Sequence, residues 1–110
     1  MTTRVVLTEA QREEVVRGRF VRVAHGEGSA LVGRAGGAWR AYENVCRHRA
    51  LPLDLGAPSA MSDDGRYLLC HQHGALYRPG DGLCVSGPCA GEALTAVAIV
   101  ETDDGSLLVG

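Results

Sequence analysis

A chain of 110 residues with 45% apolar and 22% charged side chains has room for one domain and one packed core, since a chain of this size buries about 65% of its extended surface. Its apolar runs all fall short of the roughly 18 residues that a membrane helix needs, and the formal net charge of −2 argues against a polyanion binder, so neither a membrane nor a nucleic acid is an expected partner. The opening Met1-Thr2-Thr3-Arg4-Val5 lacks a basic stretch followed by a long apolar region, and the expected compartment is the cytoplasm. Every cation is an arginine: nine Arg face five acids in residues 1–50, and two Arg face eight acids in residues 51–110. Such a lopsided field either steers a charged partner or belongs to an ordinary solvated surface.

With 15 Gly and short apolar segments, the chain predicts strands rather than long helices. Residues 5–7 read as a first strand. Thr8-Glu9-Ala10-Gln11 has the spacing of a capping box, and good helix formers follow, which predicts one short helix between Thr8 and Arg17. Residues 19–24 alternate as a half-buried strand does. Residues 30–34 and 38–43 are joined across Gly36-Gly37, a hairpin signal because glycine reaches the positive φ of tight primed turns. Residues 51–65, with Pro52, Gly56, Pro58 and Asp63-Asp64-Gly65, read as a loop. Residues 66–69, 75–77, 96–100 and 106–109 supply further strands, the last two joined through Asp103-Asp104-Gly105. The fold class is all-β and antiparallel, in a single domain spanning 1–110.

Two clusters carry chemistry. Asn44-Val45-Cys46-Arg47-His48-Arg49 and Cys70-His71-Gln72-His73-Gly74 together read C-x-H, twenty-one residues, C-x-x-H. Each offers one thiolate and one imidazole, and two such loops set tip to tip would surround a metal centre with two sulfur and two nitrogen ligands. That donor set suits zinc or an iron–sulfur centre. Structural zinc sites more often pair like with like, whereas here each loop contributes one ligand of each kind, as a [2Fe–2S] centre with a two-cysteine iron and a two-histidine iron requires.

These clusters, with Gly74-Ala75-Leu76-Tyr77 after the second, the strand Trp39-Arg40-Ala41-Tyr42-Glu43 before the first and Gly82-Leu83-Cys84-Val85-Ser86-Gly87-Pro88-Cys89 downstream, resemble the Rieske [2Fe–2S] domain. The resemblance runs from about residue 30 to 109. It implies a small β-sandwich or barrel-like base made by the terminal strands, with a cluster-binding subdomain at about 44–89. It implies one [2Fe–2S] cluster, with Cys46 and Cys70 on the inner iron and His48 and His73 on the outer, solvent-facing iron through which the electron leaves. A histidine ligand that keeps its second ring N–H exposed implies a potential that falls with pH at alkaline values. Gly74 fits close approach to the cluster, and Gly87 and Pro88 belong to a covering third loop. His71, beside Cys70, is expected to point away from the centre, and His25 is expected in a solvated turn.

In high-potential relatives a disulfide links the two ligand loops. The matching positions here are Leu51 and Gln72, so that bridge is impossible. Cys84 and Cys89 are expected as partly buried thiols, with a local disulfide as the alternative. The position of a serine that donates to the cluster is Ala75, while Tyr77 is kept and either bonds the Cys46 sulfur or is an ordinary strand tyrosine. Arg47, Arg49 and Arg78 flank the site, either raising its potential, docking an acidic partner or lying solvated. By analogy with the family, the chain is expected to be an electron carrier rather than an enzyme, taking electrons from a reductase and passing them to an oxygenase. The alternatives are a redox subunit held in a larger oxidoreductase and, in another class, a structural zinc module for protein binding.

Overall fold

The alternation Ala30-Leu31-Val32 sets the layout, because a strand sends successive side chains to opposite faces. In the computed structural model, which describes residues 2–45, 52–53, 60–62, 64–71 and 74–110, Ala30 and Val32 enter one core and Leu31 enters another. Their strand, β3 (Gly28–Ala35), lies between β2 (Val21–His25) and β4 (Ala38–Glu43) in an antiparallel sheet. The pairing preserves the sorting: Val32 lies opposite Val21 and Ala41 over the first core, and Leu31 lies opposite Tyr42 over the second.

The first core is closed by a sheet of terminal strands, in which β1 (Thr3–Val5) and β8 (Ile99–Glu101) flank β9 (Leu107–Val109). Leu7, Val15, Leu107 and Val109 fill it. The one helix among the described residues, α1 (Glu9–Val16), supplies Val15 and starts with a reciprocal capping box. Thr8 Oγ1 accepts from the Gln11 N–H at 3.1 Å, and the Thr8 N–H donates to Gln11 Oε1 at 2.9 Å. The first strand lies earlier than residues 5–7. It ends at Val5, leaving Val6 exposed while Leu7 turns into the core.

The stretch 96–100 also departs from a single continuous strand. The Glu43 N–H bonds the Thr95 carbonyl and the Val97 N–H bonds the Ala41 carbonyl, both at 2.9 Å, before β8 pairs with β9. This segment therefore leaves the edge of β4 and joins the terminal sheet, tying the two layers together. The β8–β9 turn is held by Asp104, whose carboxylate accepts from the Ser106 N–H at 2.9 Å and from the Thr102 hydroxyl and pairs with Arg4. These bonds hold its carboxyl well below the usual carboxylate range.

The second core holds Phe20, Leu31 and Tyr42 from the central sheet against Leu53, Met61, Leu68, Tyr77 and Leu94. Its outer layer is a small antiparallel sheet, β5 (Leu68–Leu69), β6 (Leu76–Tyr77) and β7 (Cys84–Ser86). Regular structure here is shorter than residues 66–69 and 75–77 predict. β7 has no counterpart among the predicted strands, although Leu83-Cys84-Val85-Ser86 between two glycines carried the signal. Among the described residues no helix is long and apolar enough to cross a membrane.

Leu31→Ala, which opens a cavity under β5–β7, is expected to cost about 3 kcal/mol. Thr8→Ala, which removes only the cap, is expected to cost about 1 kcal/mol. Chemical denaturation of both variants measures the difference.

Candidate metal centre

The first cluster follows β4 directly. Asn44, 3% exposed, leaves that strand with its backbone N–H on the Ser29 carbonyl at 3.0 Å. Its side-chain Nδ2 donates to Ser29 Oγ at 3.0 Å, and its Oδ1 accepts the Leu53 N–H at 2.9 Å. A single buried amide thus fastens both ends of the segment that contains Cys46 and His48, and leaves few buried polar atoms unsatisfied. Leu53, fully buried, accepts the His71 N–H on its carbonyl at 2.8 Å. The two peptide groups of Leu53 therefore join the end of the first cluster to the start of the second. Sequence reasoning assigned no role to Asn44 or Leu53; a buried asparagine next to a ligand motif was the available signal.

The second cluster begins where β5 ends. Cys70 is 1% exposed. Its N–H donates to the Ala75 carbonyl and its carbonyl accepts the Gly74 N–H, both at 2.9 Å, so the chain leaving β5 is pinned to the chain entering β6. Gly74 has φ +72, and no described atom lies within 4 Å of the place a Cβ would take; the turn itself is sufficient reason for glycine. His71 is exposed. Cys46, His48, His73, Arg47 and Arg49, and with them any bond from Tyr77 to the Cys46 sulfur, lie outside the described residues.

The third loop rests on the second. A Cβ on Gly87, whose φ is +104, would lie 2.8 Å from the Ala75 Cα, so the loop carrying Pro88 approaches the ligand loop as closely as glycine permits. Beneath it Cys84 and Cys89 are unbridged thiols, fully rather than partly buried, with their sulfurs 3.0 Å apart. The Tyr77 hydroxyl lies 3.0 Å from the Cys89 sulfur, and the Cys84 thiol donates to the Ser86 carbonyl at 3.3 Å. Burial, reinforced by the bond from Cys89, pushes the Cys84 thiol up to about 11.

One further expectation changes, and of the readings of Arg78 the solvated one stands. His25 is not a solvated turn residue: it ends β2, and its Nδ1 is buried with no partner among the described residues. It lines a cleft with Glu27, Glu43, Asn44, Val45 and Pro52 beside the first cluster. Arg78 is paired with Asp81, its Nε donating to Oδ1 at 3.1 Å, and the pair holds the Asp81 carboxyl below its ordinary range. Its charge is thus matched locally. Arg4 and Arg19 are also paired, with Asp104 and Glu14, and Arg34 lies over the Trp39 ring, so part of the basic excess in residues 1–50 is engaged in the base.

Among the described residues no three His, Cys, Asp or Glu side chains converge; three of the four residues assigned as ligands fall outside them. The fourth, Cys70, fits an iron–sulfur group: a soft sulfur donor, nearly buried, held at a loop mouth by two backbone bonds.

The family model of the Rieske [2Fe–2S] domain matches residues 5–107. The oxidoreductase NdmD of Pseudomonas putida is 36% identical over 72 residues, which is 59% of this chain and 11% of NdmD; the chain thus spans a small part of that relative. The ferredoxin of carbazole 1,9a-dioxygenase from Nocardioides aromaticivorans IC177 has the same fold, with a TM-score of 0.70 at 20% identity over 100% of this chain and 97% of that one. A chain from the complex of reduced oxygenase and oxidized ferredoxin in carbazole 1,9a-dioxygenase matches with a TM-score of 0.63 at 26% identity, covering 84% of this chain and 81% of that one.

Asn44→Ala is expected to cost about 2 kcal/mol by leaving the buried Leu53 N–H without its acceptor, and to lower the iron retained per chain; Ser29→Ala, which removes one bond to Asn44, is expected to cost less. Gly87→Ala is expected to cost about 1–3 kcal/mol by pushing the third loop off Ala75. Denaturation midpoints, with iron analysis of each purified variant, measure these effects.

Proposed function

The chain belongs to the Rieske [2Fe–2S] family, and from that membership we propose that it is a one-electron carrier acting in the cytoplasm between a reductase and an oxygenase. The observation that carries the reading is the match of the family model to nearly the whole chain. The backbone bond from His71 to Leu53, which holds the second cluster against the end of the first, supports it. So does the likeness to a chain of an oxygenase–ferredoxin complex.

We assign Cys46 and Cys70 to one iron and His48 and His73 to the other, within a cluster-binding part at about 44–89 of a single domain. When bound, a cluster of this type takes up and releases one electron. The protein's own part is to hold and tune the site. Asn44 and Leu53 fix the ends of the first loop, and the backbone bonds of Cys70 with Gly74 and Ala75 fix the second. Tuning depends on donors near the sulfurs. Ala75, fully buried, brings no hydroxyl to the second loop, and Leu51 and Gln72 stand where a bracing disulfide would need cysteines. These features favour the lower half of the potential range.

One observation favours a second reading, a redox subunit or segment of a larger oxidoreductase: the stretch shared with NdmD is a small fraction of that protein. Gel filtration separates the two, since a diffusing carrier elutes at its own mass.

The purified protein is expected to be red-brown, with two irons and two sulfides per chain and a potential in the lower half of the span from about −150 to +300 mV. A colourless protein holding one zinc, with cluster loss excluded, overturns the reading. His48→Cys is expected to change the visible spectrum and draw the potential toward the roughly −400 mV of all-cysteine centres; an unchanged spectrum overturns the ligand assignment.

A further inference from the structure

We propose that Cys84 and Cys89 are a redox modification site, converted by a small peroxide from a dithiol into an internal disulfide that locks the third loop. The sulfurs are 3.0 Å apart, so a covalent bond of about 2.05 Å needs roughly 1 Å of further approach. The backbone already sets the two residues side by side. The Cys84 N–H donates to the Glu92 carbonyl at 2.7 Å, the Gly91 N–H donates to the Cys84 carbonyl at 3.1 Å, and the Glu92 N–H donates to the Cys89 carbonyl at 2.9 Å. Only Val85, Ser86, Gly87 and Pro88 lie between them, so closing the ring adds little loop entropy to what the fold has fixed.

Burial selects the oxidant. Cys84 and Cys89 are 2% and 3% exposed, which shuts out a bulky disulfide such as oxidised glutathione, while a peroxide is close to water in size. One sulfur attacks a peroxide oxygen, the O–O bond breaks, and a sulfenic acid and one water result. The second sulfur then displaces the sulfenic oxygen as another water, forming the S–S bond. Two thiols lose two electrons and two protons, and one peroxide becomes two waters. Burial pushes the Cys84 thiol up, so its thiolate fraction is small and the first attack on peroxide is slow; closure of the bridge then follows from the 3.0 Å approach of the two sulfurs. Oxidation removes the thiol that faces the Tyr77 hydroxyl and fastens the turn that Gly87 lays on Ala75. This chemistry does not depend on what the ligand loops hold.

The test treats purified holoprotein with a modest excess of hydrogen peroxide, removes it with catalase, and denatures the sample in iodoacetamide for peptide mass analysis. The expected result is loss of both alkyl groups from the peptide carrying residues 84 and 89, which becomes lighter by two hydrogens and regains both groups after a reductant. Cys84→Ser is expected to leave a sulfenic acid on Cys89 that dimedone traps. Full alkylation of both residues after peroxide, a sulfinic acid on either, or a bridge from either to Cys46 or Cys70 would overturn the proposal. Iron measured on the same samples separates cluster loss from disulfide formation, and the wild-type result stands even if the variant does not fold.

Discussion

β3 has no solvent face along its middle, and the arrangement of the molecule follows from that. Leu31 is 1% exposed and Ala30 and Val32 are fully buried, yet they serve different cores because the side-chain period of a strand is two. One face recruits the terminal strands and the helix. The other recruits the loops and the short strands around the two Cys and His motifs. Two small cores sharing one sheet accomplish what a short chain cannot do with a single thick one.

The site itself is held with very little regular structure. Its outer sheet consists of strands of two or three residues, too short to be stable on their own. Rigidity comes instead from single hydrogen bonds: the Leu53 N–H to the Asn44 side chain, the His71 N–H to the Leu53 carbonyl, and the backbone bonds of Cys70 with Gly74 and Ala75. Close packing completes the set, with the Gly87 backbone laid on Ala75 and the Tyr77–Cys89–Cys84 series of side chains below it. Every link runs between segments distant in sequence or across one tight turn.

Local signals were therefore the legible ones. The capping box at Thr8 and Gln11 and the strand 38–43 stand as the residues predict, and Gly36-Gly37 closes its hairpin with φ values of +63 and +79. The order of Cys46, His48, Cys70 and His73 was enough to identify the family that the full-length match supports. What the pattern missed depends on tertiary partners. Residues 96–100 look like one strand, but the chain divides them between two sheets. His25 looks like a turn residue, yet it closes β2 opposite Gly28 and lines a cleft with Asn44 and Val45. The role of Asn44 becomes visible only when Leu53 is placed beside it, and the burial of Cys84 and Cys89 only when β7 pairs with β6.

The bond from Leu53 to the Asn44 side chain and the bond from His71 to the Leu53 carbonyl make one residue, Leu53, a shared fulcrum for both clusters. A substitution at Asn44 or Leu53 therefore reaches both clusters at once, although neither residue belongs to the Cys and His pattern itself.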